Sequence, residues 1–280
     1  MDGMDRVGRM RLAGLAPRRR LLIAGAVLLV VALAVAVTVR ACAGRTGRPS
    51  GYPDQSRPGP VLLIPGYGGG QGALSVLAMR LRAAGRPATV LALPGDGTGD
   101  LAAQAAVLDG AVRAELGRGA PSVDVVGYSA GGVVARLWVA RYGGAHAARR
   151  VVTLGSPLHG ARLAAAGSAL ATDACPPACQ QLAPGSGLLR ELDATPLPAQ
   201  LPWLSIWTWD DQTVVPPDSA RLSGALNVPV QSVCADAHVQ HGQLPTDPVV
   251  TGLVLRGLGT AAPVVPGPGD CAALRAAGTG

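Results

Sequence analysis

Three residue types that cooperate in nucleophilic catalysis occur in this chain in a usable order: a serine between glycines, then paired aspartates, then two histidines. The serine is Ser129, in Gly127-Tyr128-Ser129-Ala130-Gly131. A hydroxyl is a weak nucleophile, so it needs a base to take its proton and a carboxylate to orient that base. Such a set attacks carbonyl carbon and passes through a covalent acyl intermediate. Of Asp210 and Asp211, the second fits an Asp-x-x-Val-x-Pro turn running to Val214 and Pro216, and Asp210 is expected to be solvated. Chain order leaves His238 and His241 as bases. His241 is preferred because it leads into Asp247-Pro248, the start of a helix. His159 comes too early and is expected to line the cleft, and His146 to sit on the surface.

Attack on a carbonyl also needs donors facing the oxygen that becomes negative. Ile64-Pro65-Gly66-Tyr67-Gly68-Gly69-Gly70 lets backbone approach a substrate, and offers the N–H of Tyr67 beside that of Ala130, the residue after the nucleophile. A phosphate-binding loop is excluded because the chain contains no lysine.

These residues need strands and helices that bring them to one place. Val61–Pro65, Ala88–Leu93, Val123–Gly127, Arg150–Leu154, Leu204–Thr208 and Val228–Val233 are short apolar runs that read as six strands. Between them, Leu74–Ala84, Leu101–Leu116 behind an Asp100 cap, and Ala130–Tyr142 have helical spacing, as does the closing segment Asp247–Leu258. Wholly apolar strands alternating with helices imply an α/β fold, a mostly parallel sheet covered on both faces. The elbow at Ser129, strand turning at once into helix, lifts a hydroxyl above the sheet edge. From 158 to 202 the alternation lapses, which marks an insertion beside the site. The tail from Ala261 reads as loop.

Residues 1–48 hold nine arginines and two aspartates, which is the whole formal charge of +7; beyond them 15 basic and 15 acidic residues cancel. A neutral globular part excludes nucleic acid as a partner. Arg18-Arg19-Arg20 runs into nineteen apolar residues, 21–39, enough for a membrane-crossing helix. Its length favours a retained signal-anchor over a cleaved signal, with 1–20 in the cytoplasm and 40–60 as linker to a domain over 61–280. The expected location is the cell membrane, domain outside, or secreted if the segment is cut near Ala41-Cys42-Ala43. Four cysteines fall in the outer part, and Cys175 with Cys179 and Cys234 with Cys271 is one of three connectivities, the one preferred here. Cys42 is left over. Cys-x-x-x-Cys lacks a second ligand pair, so neither metal nor cofactor is expected.

Taken together, Val61–Gly70, Ser122–Tyr142, Val151–Pro157, the Asp211 turn and the His241 loop resemble the small secreted lipases and esterases of the α/β-hydrolase superfamily, especially minimal Bacillus lipases and their actinobacterial relatives. The resemblance covers about Val61 to Leu258. It implies an α/β-hydrolase fold and a monomeric serine hydrolase of lipid-type carboxylic esters, with Ser129, Asp211 and His241 as triad and no cofactor. Tyr128 stands where many such lipases have histidine, as in cutinases and several thioesterases, and Pro65-Gly66 replaces their His-Gly. Acyl transfer to an alcohol is the nearest enzymatic alternative. A catalytically inactive envelope-binding module is the alternative outside enzymes.

Overall fold

The computed structural model describes residues 25–34, 51–170 and 175–279. The chain forms two units, Met1–Gly47 and Arg48–Gly280. In the first, residues 25–34 are helical. The expected segment 1–20, the remainder of 21–39, Cys42 and the linker up to residue 50 lie outside the described residues. Among those described, no helix is long and apolar enough to cross a membrane.

The second unit is built on six strands: β1 Val61–Ile64, β2 Ala88–Val90, β3 Val123–Tyr128, β4 Ala148–Leu154, β5 Trp203–Trp207 and β6 Leu226–Pro229. They lie in the order β2-β1-β3-β4-β5-β6, every pair parallel. Parallel neighbours need crossovers, and these are supplied by helices. The principal ones are α1 Gly72–Ala83, α2 Leu101–Gly117 and α3 Ala130–Tyr142; the sheet is closed off by α8 Pro248–Gly257.

Strand side chains alternate between faces, so each strand feeds two cores. Leu62, Ile64, Val125, Val151 and Trp203 pack with α2 and α3 on one side. Val61, Leu63, Val126, Val152, Leu204 and Ile206 pack with α1 and α8 on the other. β1, β4 and β5 are buried along their whole length, so their apolar residues do not alternate with solvent-facing ones, and the polar residues they carry, Arg149, Arg150, Thr153 and Ser205, are buried as well. Asp100 caps α2 by accepting from the Ala102 N–H at 2.6 Å, and Asp247 caps α8 by accepting from Val250 at 3.0 Å, with Pro248 at the first helical position.

Two sequence expectations are corrected. The run Val228–Val233 is not one strand: β6 ends at Pro229 and Val230–Val233 forms the short helix α7. Proline has no N–H to continue the ladder, and its fixed φ suits the residue before a helix. The tail is not all loop, since Cys271–Ala277 forms α9, which buries Leu274 and is tied to Cys234 by a disulfide. With a single large apolar residue it shows no periodicity; the disulfide and packing on α8 decide it. The insertion itself carries α4 Arg162–Leu170, α5 Pro177–Gln181 and α6 Gly187–Asp193. A second disulfide, Cys175–Cys179, closes on α5.

Candidate active site

Ser129 sits between β3 and α3 with φ 53° and ψ −126°, the one non-glycine residue of positive φ among those described. A side chain in this region carries strain of about 1–3 kcal/mol, held in place by surrounding structure. The turn is tight enough to dictate its neighbours. A Cβ on Gly131 would lie 2.3 Å from the Ile64 carbonyl oxygen, and one on Gly66 would lie 2.9 Å from the Ser129 Cβ. The glycines on either side of the elbow are therefore steric requirements, and they bring the β1–α1 loop against the serine.

His241 opens a single 3-10 turn, His241–Gln243, which Gln240 and Gln243 cap reciprocally. Its Nε2 lies 3.1 Å from Ser129 Oγ and its Nδ1 lies 2.7 Å from Asp211 Oδ2. A carboxylate accepts hydrogen bonds, so Nδ1–H donates to Asp211 and Nε2 is left to accept from the serine hydroxyl. Asp211 is buried and its other oxygen is occupied: Oδ1 accepts from the N–H groups of Thr213 at 2.9 Å and Val214 at 2.8 Å. That local turn follows from an aspartate two and three residues ahead of free backbone donors, and it fixes the carboxylate before the imidazole arrives.

Gly155 and Tyr128 complete the arrangement. Gly155, at the end of β4 with φ 53°, has no room for a side chain: a Cβ there would lie 3.1 Å from His241 Nδ1, 3.2 Å from Asp211 Oδ2 and 2.5 Å from Leu244 Cδ1. A glycine directly after an apolar strand is the only sequence signal of that close approach. Tyr128 packs tilted against the His241 ring with centroids 5.2 Å apart, and its hydroxyl donates to the His241 carbonyl at 3.3 Å. Burial, and then the charge of Asp211, push its phenol up to about 12, so the hydroxyl stays a donor across neutral pH.

The serine opens onto a cavity of about 540 Å³ whose walls include Leu163, Ala164, Ala166, Leu182 and Val214, with Tyr67 beside Ser129. α4 and α5 of the insertion thus form much of the wall, and Cys179 of the disulfide belongs to it. The buried Arg136 of α3 secures the insertion by donating to the carbonyls of Leu158 and Leu192 and to Asp193. Ala130 begins α3, so its N–H is one of the helix's unpartnered first-turn donors. Together with the Tyr67 N–H it is the expected anion-binding pair.

The remaining histidines take other places. His159 does not line the cavity; its Nδ1 meets Asp193 at 2.9 Å and its Nε2 the Arg221 carbonyl at 3.0 Å, a strut across the insertion. His146 is half-buried and stacked on Tyr52 at 5.0 Å, not a surface residue. His238 is exposed, 3.5 Å from Asp210. Cys234, Asp236 and Cys271 cluster closely enough to suggest a metal, but both sulfurs are spent in the disulfide.

No family model matches this chain, and no curated protein does either. Solved structures are similar. Lipase B of Aspergillus fumigatus superposes with a TM-score of 0.61 at 17% identity over 80% of this chain, and the mature lipase BlEst2 of Bacillus licheniformis with 0.52 at 21% identity over 65%. The chain spans 56% of the length of the Aspergillus lipase and 86% of the Bacillus one. With the parallel sheet order and the strand-elbow-helix at Ser129, they establish the α/β-hydrolase fold.

Proposed function

We propose that the chain is a serine hydrolase of carboxylic esters with hydrophobic acyl groups. One observation carries this reading: a continuous chain of hydrogen bonds, Ser129 to His241 to Asp211, ends at the mouth of an apolar cavity. His241 Nε2 removes the Ser129 proton as Oγ attacks the ester carbonyl, and Asp211 stabilises the imidazolium. The oxyanion is held by the N–H groups of Tyr67 and Ala130. His241 returns its proton to the departing alcohol, then activates the water that releases the acid. The acyl chain lies along Leu163, Ala164, Leu182 and Val214, where burying each methylene is worth about 0.8 kcal/mol.

The same reading puts the domain outside the cytoplasm. Two disulfides fit an oxidising compartment, and the apolar run 21–39 is proposed as its membrane anchor.

Hydrolysis of p-nitrophenyl esters by the full chain tests the reading, with turnover expected for short and medium acyl chains and lost in Ser129→Ala. Absence of turnover would favour an inactive binding module. Preferential transfer of the acyl group to added alcohol, over water, would favour an acyltransferase.

A further inference from the structure

We propose that a second cavity, on the far side of the Asp211 turn, is a binding site for a neutral polyhydroxylated ligand of sugar type. It measures about 500 Å³ and is lined by Trp209, Asp210, Asp211, Gln212, His238, Gln240 and Gln243. The turn 211–214 divides it from the acyl cavity: Asp211 and Gln212 face this side, Thr213 and Val214 the other.

Trp209 supplies the platform. Half of its surface is exposed, although the preceding tryptophans of the chain, Trp138, Trp203 and Trp207, are fully buried. It is held outward, not left loose: Trp207 meets it edge-on with centroids 6.2 Å apart, and its backbone N–H donates to the Gln231 side chain at 3.1 Å. A fixed, exposed indole offers a flat apolar face to the C–H face of a pyranose ring, at little cost in side-chain ordering.

The polar groups around it match hydroxyls and not ions. Gln240 and Gln243 use their amide oxygens to cap the His241 turn, which leaves their NH2 groups as donors. Asp210 is an acceptor and the exposed Gln212 amide is both. Hydroxyl groups, each donor and acceptor at once, satisfy such a mixed set. An organic anion would meet the Asp210 carboxylate with no arginine lining the cavity and with His238 already 3.5 Å from Asp210, and a purely apolar ligand would strand four polar side chains. Millimolar affinity is the scale expected of one aromatic platform with a few exposed hydrogen bonds.

The site does not depend on the chemistry at Ser129, and its test is separate from ester turnover. Tryptophan emission of the full chain is titrated with glucose, maltose, cellobiose and glycerol. Because the other three tryptophans are buried, the response reports Trp209. A saturable change with a disaccharide is expected, unaltered in Ser129→Ala, and weakened several-fold in Gln212→Ala and about tenfold in Trp209→Ala measured by calorimetry. If Trp209→Ala fails to fold by circular dichroism, Trp209→Phe and Gln212→Ala carry the comparison. No saturable response to any of the four compounds, or equal affinity in these variants and the native chain, would overturn the proposal.

Discussion

At the amino ends of β3 and β4, Asp124 is gripped by Arg86 and Arg149, while at the carboxyl ends of the same two strands Ser129 and Gly155 meet His241 and Asp211. Both places bury charged or titratable groups. They differ in what is left over. At the amino edge Arg149 also donates to the carbonyls of Gln55, Leu258 and Gly259, and Arg150 to those of Gly257 and Ala261. All but the Gln55 carbonyl lie at and beyond the C-terminus of α8, where a helix favours positive charge. Burial, and then the neighbouring Arg149, hold the Arg150 guanidinium below its usual range. At the carboxyl edge one acceptor, His241 Nε2, faces only a hydroxyl beside an open cavity. One end spends its polar groups on joining sheet, helix and N-terminal segment. The other keeps one nitrogen in reserve and holds a strained backbone to aim it.

The contrast breaks first at the serine. Ser129→Gly is expected to lower kcat for p-nitrophenyl esters by about 10⁴-fold or more, yet to raise stability by about 1 kcal/mol, because glycine tolerates the positive φ that serine does not. Urea unfolding measured beside the kinetics checks both signs. At the other end the sign reverses. Asp124→Ala leaves the buried Arg149 guanidinium and the partly buried one of Arg86 without their shared carboxylate, and should cost about 3–5 kcal/mol in urea unfolding while kcat per folded molecule is kept.

A smaller perturbation tests the geometry without touching the triad. Gly155→Ala pushes a methyl group into the His241–Asp211 contact and should lower kcat about 10²-fold with KM nearly unchanged. The smallest effect is alkaline. Tyr128 holds its proton more tightly in the folded chain than an unfolded tyrosine does, near pH 10. Its contribution to stability is therefore intact below about pH 10 and is lost as pH rises through about 12. Tyr128→Phe should flatten that part of the pH dependence of the urea midpoint.

The carboxyl edge was far more legible in the sequence than the amino edge. Ser129, Asp211 and His241 announce themselves because an elbow needs small neighbours, an Asx turn needs donors two and three residues on, and a loop before a capped helix places a side chain over the sheet. Arg149 and Arg150 gave no such sign; two arginines at the start of a strand look like a solvated end, and only the fold reveals the carbonyls that receive them. The six strands could be read from apolar runs because both sheet faces are covered. β6 stops short of its apolar run where Pro229 ends the ladder, and α9 leaves no trace in the pattern because a disulfide and one leucine, not a periodic face, hold it. His159 and Gly155 depend on distant contacts with Asp193 and His241 that no local pattern encodes.

The most direct test of the proposed chemistry is to treat the full chain with a fluorophosphonate probe and locate the adduct by peptide mass spectrometry. A single modification on Ser129 is expected, slowed strongly in His241→Ala and in Asp211→Ala. Ester hydrolysis that persists with Ser129 unmodified, or an adduct on another residue, would contradict it.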